Sequence, residues 1–367
     1  MKPSIPESRA RCFPLPDLLS WWDHTRRPLP WRKDRSPWRT WVSEVMLQQT
    51  RVAAVIPYFQ SFMDLFPDPA RLAAADSNLL MKTWEGLGYY RRVVHLQRAA
   101  ARVVTEHAGE IPKDPRAFAA LPGAGPYITA AVMSIAFGHA LPAVDGNVLR
   151  VIARYRGSFN DIGEPRERRR VERMLHRVIP ADRPGDFNEA LMELGAMVCL
   201  PRRANCAACP LASACRSHSL GLTTVLPIRS RRASIPEREV AVALVCNGDR
   251  ILVRRRPPGH LGGLWEFPGG RLRSGETPQA AIQRKCHEEL NMSVRVGEVI
   301  TAVRHAYTHF RIHMQVFRAV CSSRPPVETD NLRWILPAQL EDLPLPGANR
   351  KSLPAILALA WGRTTTV

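Results

Sequence analysis

Four cysteines, Cys199, Cys206, Cys209 and Cys215, follow one another with six, two and five residues between them. Thiolates are soft donors, and four of them fill either a zinc site or an iron-sulfur cluster. Metal ligation would close this stretch into a loop of fixed dimensions, which constrains folding more than any other feature of the chain. Disulfides are disfavoured. The chain runs to 367 residues, opens without a secretory leader, and scatters Cys12, Cys246, Cys286 and Cys321 without pattern. Spacing rules leave zinc and iron-sulfur both open.

The length suits two or three domains at the usual ~100 to 200 residues each. A formal charge of +19 implies a polyanionic partner, because Lys and Arg that neutralise phosphates release condensed counterions. Nucleic acid is favoured over a membrane, although surplus arginine can also line a solvated face. The most apolar stretch, Thr129 to Val144, is interrupted by Gly138, His139 and Pro142, so it reads as a buried helix and its exit loop. Met1 to Arg11 carries Glu7 and prolines but no apolar core, as neither a signal peptide nor a transit helix would. The expectation is a monomeric bacterial protein of the cytoplasm, associated with the nucleoid and not with membrane.

From residue 15 to 216 apolar residues recur at helical spacing in Trp41 to Phe62, Leu79 to His107 and Tyr127 to Phe137, separated by proline and glycine. Residues 217–237 lack a helical period, are rich in Ser, Arg and Pro, and read as a basic, mobile linker. Residues 238–345 then alternate differently. Glu239 to Cys246, the turn Asn247-Gly248-Asp249 and Ile251 to Arg254 read as a β-hairpin. A helix over Thr277 to Leu290 and strands near Val294 to Val303, Arg311 to Ala319 and Leu332 to Ile335 complete an α+β domain, with 346–367 a C-terminal tail or helix. The fold class is therefore multidomain: an all-α half and an α+β half.

Leu121-Pro-Gly-Ala-Gly125 lies between two helical stretches, and Gly123 and Gly125 would let backbone amides approach a phosphate at the next helix N-terminus. A glycine C-cap gives much the same string. Further along stands Val144-Asp145-Gly146-Asn147-Val148. With Leu29-Pro-Trp-Arg32, Ser43-Glu-Val-Met-Leu-Gln-Gln-Thr50, Trp84-Glu-Gly-Leu-Gly-Tyr-Tyr90 and Phe187-Asn-Glu-Ala-Leu191, residues 15–216 resemble the helix-hairpin-helix adenine DNA glycosylases of the MutY family. The resemblance resumes at the C-terminus. It makes the cysteine set that of a [4Fe-4S] cluster loop.

The resemblance implies hydrolysis of the bond between adenine and deoxyribose in duplex DNA, with adenine paired to 8-oxoguanine or G. Such chemistry needs one carboxyl to donate a proton and another to face an oxocarbenium-like sugar. Glu44 would be the general acid and Asp145 the stabiliser, with Tyr127 and Asn147 in support. On residue type alone, Glu44 could equally be a solvated helix glutamate and Asp145 a helix N-cap. Bifunctional relatives place a lysine where Tyr127 stands, and a phenol forms no imine, so a monofunctional enzyme is expected. The base must leave the stack. By resemblance Gln49 and Tyr89 fill the gap, Trp31, Arg32, Leu47 and Glu189 line the adenine pocket, and Thr50 and Leu87 lie near the opposite strand.

Gly270 to Met292 resembles the Nudix box through Gly270, Glu276, Arg284, Glu288 and Glu289. It departs from it at Lys285 and Asn291, where the box has glutamate and glycine. An ammonium where magnesium should bind argues against nucleotide hydrolysis. The resemblance implies a lesion-reading role instead, with Tyr307-Thr308-His309 in the place of the family's Phe-Ser-His. Three alternatives stand beside this reading: an endonuclease III-like glycosylase and lyase, a Nudix pyrophosphatase, and a lesion-binding protein with inert carboxylates.

Overall fold

Many of the 32 prolines start helices. Pro30, Pro37, Pro115, Pro126, Pro165 and Pro184 each take a first helical position, where φ is already helical and the missing N–H would have had no partner. The computed structural model describes residues 13–230, 235–257, 259, 261–307 and 309–359. They form two compact units, one of residues up to 74 and 95–232, the other of residues 75–94 and from 233 onward.

The described part of the first unit is built on helices. The helical run expected over Trp41 to Phe62 is two helices, Pro37–Leu47 and Val52–Leu65, parted at Gln49, whose φ is +62°. Helix Pro184–Met197 is central, packing on Leu15–Thr25, Pro126–Phe137 and Gly146–Arg156. Its Phe187, Leu191 and Leu194 share a core with Trp22, Val148 and Ile152. Gly195 allows the close crossing: a Cβ there would stand 2.7 Å from the Asn147 Cβ.

Residues 217–230 are not the free linker expected. Ser217 and Leu226 are buried, the Arg154 Nε donates to the Leu226 carbonyl at 2.7 Å, and Ile228 bridges Asp161. A buried guanidinium needs acceptors, and this stretch supplies one. Residues 231–234 lie outside the described residues.

In the second unit, strands β1 (Glu237–Asn247), β2 (Arg250–Arg255), β3 (Trp265–Glu266), β4 (Gly269–Arg271), β5 (Val294–Ala306), β6 (Arg311–Cys321) and β7 (Leu332–Ile335) make one mixed sheet. Its order is β3-β2-β1-β6-β5, with β4 paired to β1 and β7 to β2; β1 and β6 run parallel. Helix Pro278–Leu290 contributes Ile282 and Cys286 to one apolar cluster, and helix Gly347–Leu357 contributes Leu353 and Ile356 to another. The C-terminal stretch is thus core to residue 357. Helix Ser77–Thr83, which the sequence grouped with the helical half, also belongs to this unit. Among the described residues no helix is long and apolar enough to cross a membrane.

Candidate active site

Glu44 lies on the inward face of helix Pro37–Leu47 and is 5% exposed. The Tyr127 hydroxyl donates to its Oε2 at 2.6 Å and also lies 3.1 Å from the Met192 sulfur. Burial pushes the Glu44 carboxyl up to about 7; the Tyr127 hydrogen bond and Arg32 oppose this, while the charges of Glu189 and Asp145 add to it. The Tyr127 phenol is held well above its ordinary range, first by burial and then by Glu44 and Asp145. The two carboxylates therefore act on one shared phenol. A carboxyl raised this far towards neutrality can both give and take a proton near neutral pH.

Asp145 caps helix Gly146–Arg156: Oδ1 accepts from Val148 N at 2.7 Å and Oδ2 from Asn147 Nδ2 at 2.9 Å. Burial raises its pKa against those hydrogen bonds. The cap and the electrostatic role are compatible, since capping fixes where the carboxylate points. The loop before it is fastened by Asn188, which is fully buried. Asn188 Oδ1 accepts from Ala143 N at 2.9 Å, and Nδ2 donates to Ser134 Oγ at 2.7 Å and Leu141 O at 2.8 Å.

Glu189 and Glu193 occupy one face of helix Pro184–Met197, four residues apart, a like-charge pairing that needs cations. Arg27 grips Glu193 at 2.5 and 2.7 Å, and Arg32 bridges Glu189 at 2.8 Å and Glu193 at 3.1 Å. Arg35 reaches Glu189 Oε2 at 2.6 Å, within ion-pair range though misaligned for a hydrogen bond. Burial opposes ionisation of Glu193, yet Arg27 and Arg32 hold its pKa below the usual range. Trp31 is buried edge-on to Phe59 at 5.4 Å, and Leu47 is half-buried. Arg27, Arg35 and Glu193 had escaped the sequence reading; the spacing of Glu193 from Glu189 was the available signal.

Gly123 has φ +80°, and a Cβ there would stand 2.9 Å from the His95 Cβ, so glycine is needed in this turn. Gly125 caps helix Pro126–Phe137, with open space where a side chain would be. Gln49 and Tyr89 both adopt left-handed backbone, at φ +62° and +51°. Such conformations cost free energy in a non-glycine residue and gather at functional sites. Thr50 is half-buried beside Gln49. Leu87, buried, and Tyr89, whose ring lies 5.2 Å from the Arg92 guanidinium, belong to the second unit.

Cys199, Cys206, Cys209 and Cys215 line one pocket with Arg154 and His218, and none forms a disulfide. Burial, reinforced by the other cysteines, pushes the Cys209 thiol up to about 12 and raises Cys206 and Cys215. Cysteines of this kind ligate metal as thiolates, although among the described residues no three His, Cys, Asp or Glu side chains are grouped to hold a single metal ion. Helix Gly146–Arg156 ties this loop to Asp145. Arg150 donates to Asn147 Oδ1 at 2.9 Å and to the carbonyls of Cys199 and Gly195 at 2.8 and 2.7 Å. Arg154 reaches the Cys199 sulfur at 3.3 Å and Leu200 O at 2.7 Å.

In the second unit every named box carboxylate has a basic partner. Arg284 grips Glu276 at 2.7 and 2.8 Å, holding it down at about 2. Lys285 pairs with Glu289 at 2.9 Å and Glu288 at 3.4 Å. The Tyr307 ring packs against His305 and Phe310, with centroids 4.6 and 5.0 Å away, and His309 is exposed. Thr308 lies outside the described residues.

The charges of Glu44 and Asp145 both bear on Tyr127, in a helical unit that also holds the Gly123 turn and the cysteine loop. Residues 42–180 match the HhH-GPD superfamily of base excision DNA repair proteins, and residues 240–355 match the NUDIX domain. The chain is 33% identical over 376 residues to the adenine DNA glycosylase of Rattus norvegicus, covering 87% of this chain and 73% of the relative. It is 40% identical over 207 residues to that of Mycolicibacterium smegmatis, covering 56% of this chain and 69% of the relative. A solved thermostable thymine-DNA glycosylase aligns with a TM-score of 0.52 at 27% identity, over 56% of this chain and 95% of its own. The chain belongs to the adenine DNA glycosylase family, and is accordingly a hydrolase of N-glycosyl bonds in DNA.

Proposed function

We propose that the protein is a monofunctional, monomeric, cytoplasmic glycosylase that removes adenine paired with 8-oxoguanine or G in duplex DNA. The observation that carries this reading is Glu44, buried, tuned to about 7, and bonded to Tyr127. Glu44 passes its proton to the imidazole-ring nitrogen of adenine. The bond from C1′ to the base then breaks, its electron pair leaving with adenine. The Asp145 carboxylate stabilises the sugar cation, electrostatically or by transient attachment, until water adds. The Glu44 carboxylate takes the water's proton, so the products are adenine and an abasic sugar. Arg32, Glu189, Trp31 and Leu47 shape the adenine pocket. Gln49 and Tyr89 fill the vacated stack, Thr50 and Leu87 lie near the opposite strand, and the amides around Gly123 and Gly125 hold a phosphate.

The thiol loop fits a [4Fe-4S] cluster, which on this reading is structural and orders the exposed Arg202 and Arg203 towards the DNA backbone. The Nudix-like unit reads the lesion through Tyr307, Thr308 and His309. Its box does not hydrolyse nucleotides, because Lys285 already neutralises Glu288 and Glu289. Two measurements test the reading. Borohydride should trap no covalent DNA adduct, and His309→Ala should slow release opposite 8-oxoguanine more than opposite G. A trapped adduct, or equal slowing, would count against it.

A further inference from the structure

Residues 75–94 are built into the second unit by specific polar contacts. Trp265 is fully buried, and its indole N–H finds an acceptor in Asn78 Oδ1 at 2.9 Å, which also accepts from Arg255 at 2.8 Å. A buried indole needs such a partner, so the sheet is incomplete without this segment. Seven residues on, Glu85 accepts from Arg350 Nε at 3.0 Å, from its Nη2 at 2.7 Å, and from Leu345 N at 3.0 Å. Arg350 is itself fixed through Leu343 O at 2.7 Å, and Lys82 reaches the Glu341 carbonyl. The pair is partly buried, with side-chain exposures of 17% and 29%, so the fork is shielded more than a surface ion pair.

Glu85 immediately precedes the loop that carries Leu87 and Tyr89, and the left-handed Tyr89 backbone persists only where neighbours hold it. We infer that Glu85 and Arg350 are positioning residues for the DNA wedge, so that the second unit governs extrusion of the target base as well as reading its partner. This rests on the proposed contact of Leu87 and Tyr89 with DNA. The ion pair touches no reacting atom and acts through the backbone between Glu85 and Tyr89.

The test uses the full chain and a duplex with 2-aminopurine, which brightens on unstacking, in place of the target adenine. Glu85→Gln and Arg350→Met should each lose most of the brightening and slow single-turnover adenine release roughly tenfold, while still binding duplex. The double variant should lose clearly less than the sum of the two single losses, because the Glu85–Arg350 fork is common to both while the contacts of Glu85 with Lys82 and Leu345 and of Arg350 with Leu343 are not. Glu106→Gln, which breaks the exposed pair with Arg102, should change nothing. Should Arg350→Met lose its melting transition, Arg350→Lys, which keeps the charge but not the fork, carries the comparison. Variants that melt like the parent yet keep its brightening and rate overturn the inference, as do additive losses in the double variant. A parent protein that never brightens the duplex would overturn the wedge reading instead.

Discussion

The Tyr127 hydroxyl donates to Glu44 Oε2 at 2.6 Å, and this one bond joins two helices whose residues stand 83 apart in sequence. It opposes the effect of burial, keeping the carboxyl near 7 where burial alone would take it higher. The site thus holds an acid strong enough to protonate a base and a conjugate base present at the same pH.

Adenine release should fall as pH rises through about 7, as Glu44 loses its proton. Tyr127→Phe removes a donor that favours the carboxylate, so the alkaline decline should move to higher pH. A decline that moves lower would contradict the assignment. Linkage gives stability the same sign: the native pKa lies above the ordinary 4.5, so this contribution is complete below that value and lost as pH rises through about 7. Melting temperatures of parent and Glu44→Gln across that range should converge on the acid side of this difference and diverge on the alkaline side.

Asn188→Ala should destabilise the fold by about 2 kcal/mol, because it strands the Ala143 amide. It should also slow adenine release, since the loop it fastens ends at Asp145. Urea melts and single-turnover rates measure the two effects. An unchanged rate in a folded variant would separate Asn188 from the site.

Arg150→Met leaves the carbonyls of Cys199 and Gly195 without their donor, at a cost of roughly 3 kcal/mol. The variant should lose activity and hold its cluster less well, because Arg150 contacts both Asn147 and the Cys199 carbonyl. Iron content and adenine release should fall together; loss of one alone would break the proposed link.

Fresh protein should carry iron and a broad visible absorption, whereas zinc would leave it colourless. Removing iron should weaken duplex binding in proportion to the order lost from the loop around Arg202 and Arg203. Iron-free protein that binds duplex like the parent would contradict the structural role of the cluster.

What the sequence made legible was local. Glu44, Tyr127 and Asp145 sit in short strings that single them out only through the family resemblance, the cysteines announce a ligand set by spacing, and the hairpin at Gly248 follows from turn chemistry. The resemblance put Arg32 and Glu189 in one pocket, but their ion pair across 157 residues and the part of Arg27, Arg35 and Glu193 in it were not legible, because nothing in any of these strings names the others. Residues 75–94 show an apolar helical face, but periodicity does not say which core covers it; Asn78 and Trp265 settle that only in three dimensions. The linker misled for a related reason. Its composition is that of free chain, and the buried guanidinium of Arg154 that captures it comes from elsewhere.

The central claim is that Glu44 and Asp145 together break the bond between adenine and sugar. It is tested most directly by single-turnover release of adenine from a duplex with A opposite 8-oxoguanine, comparing the parent with Glu44→Gln and Asp145→Asn. The account predicts release by the parent and a loss of roughly 100-fold or more in each variant, with melting transitions retained. A folded Glu44→Gln protein that releases adenine at the parent rate would contradict it.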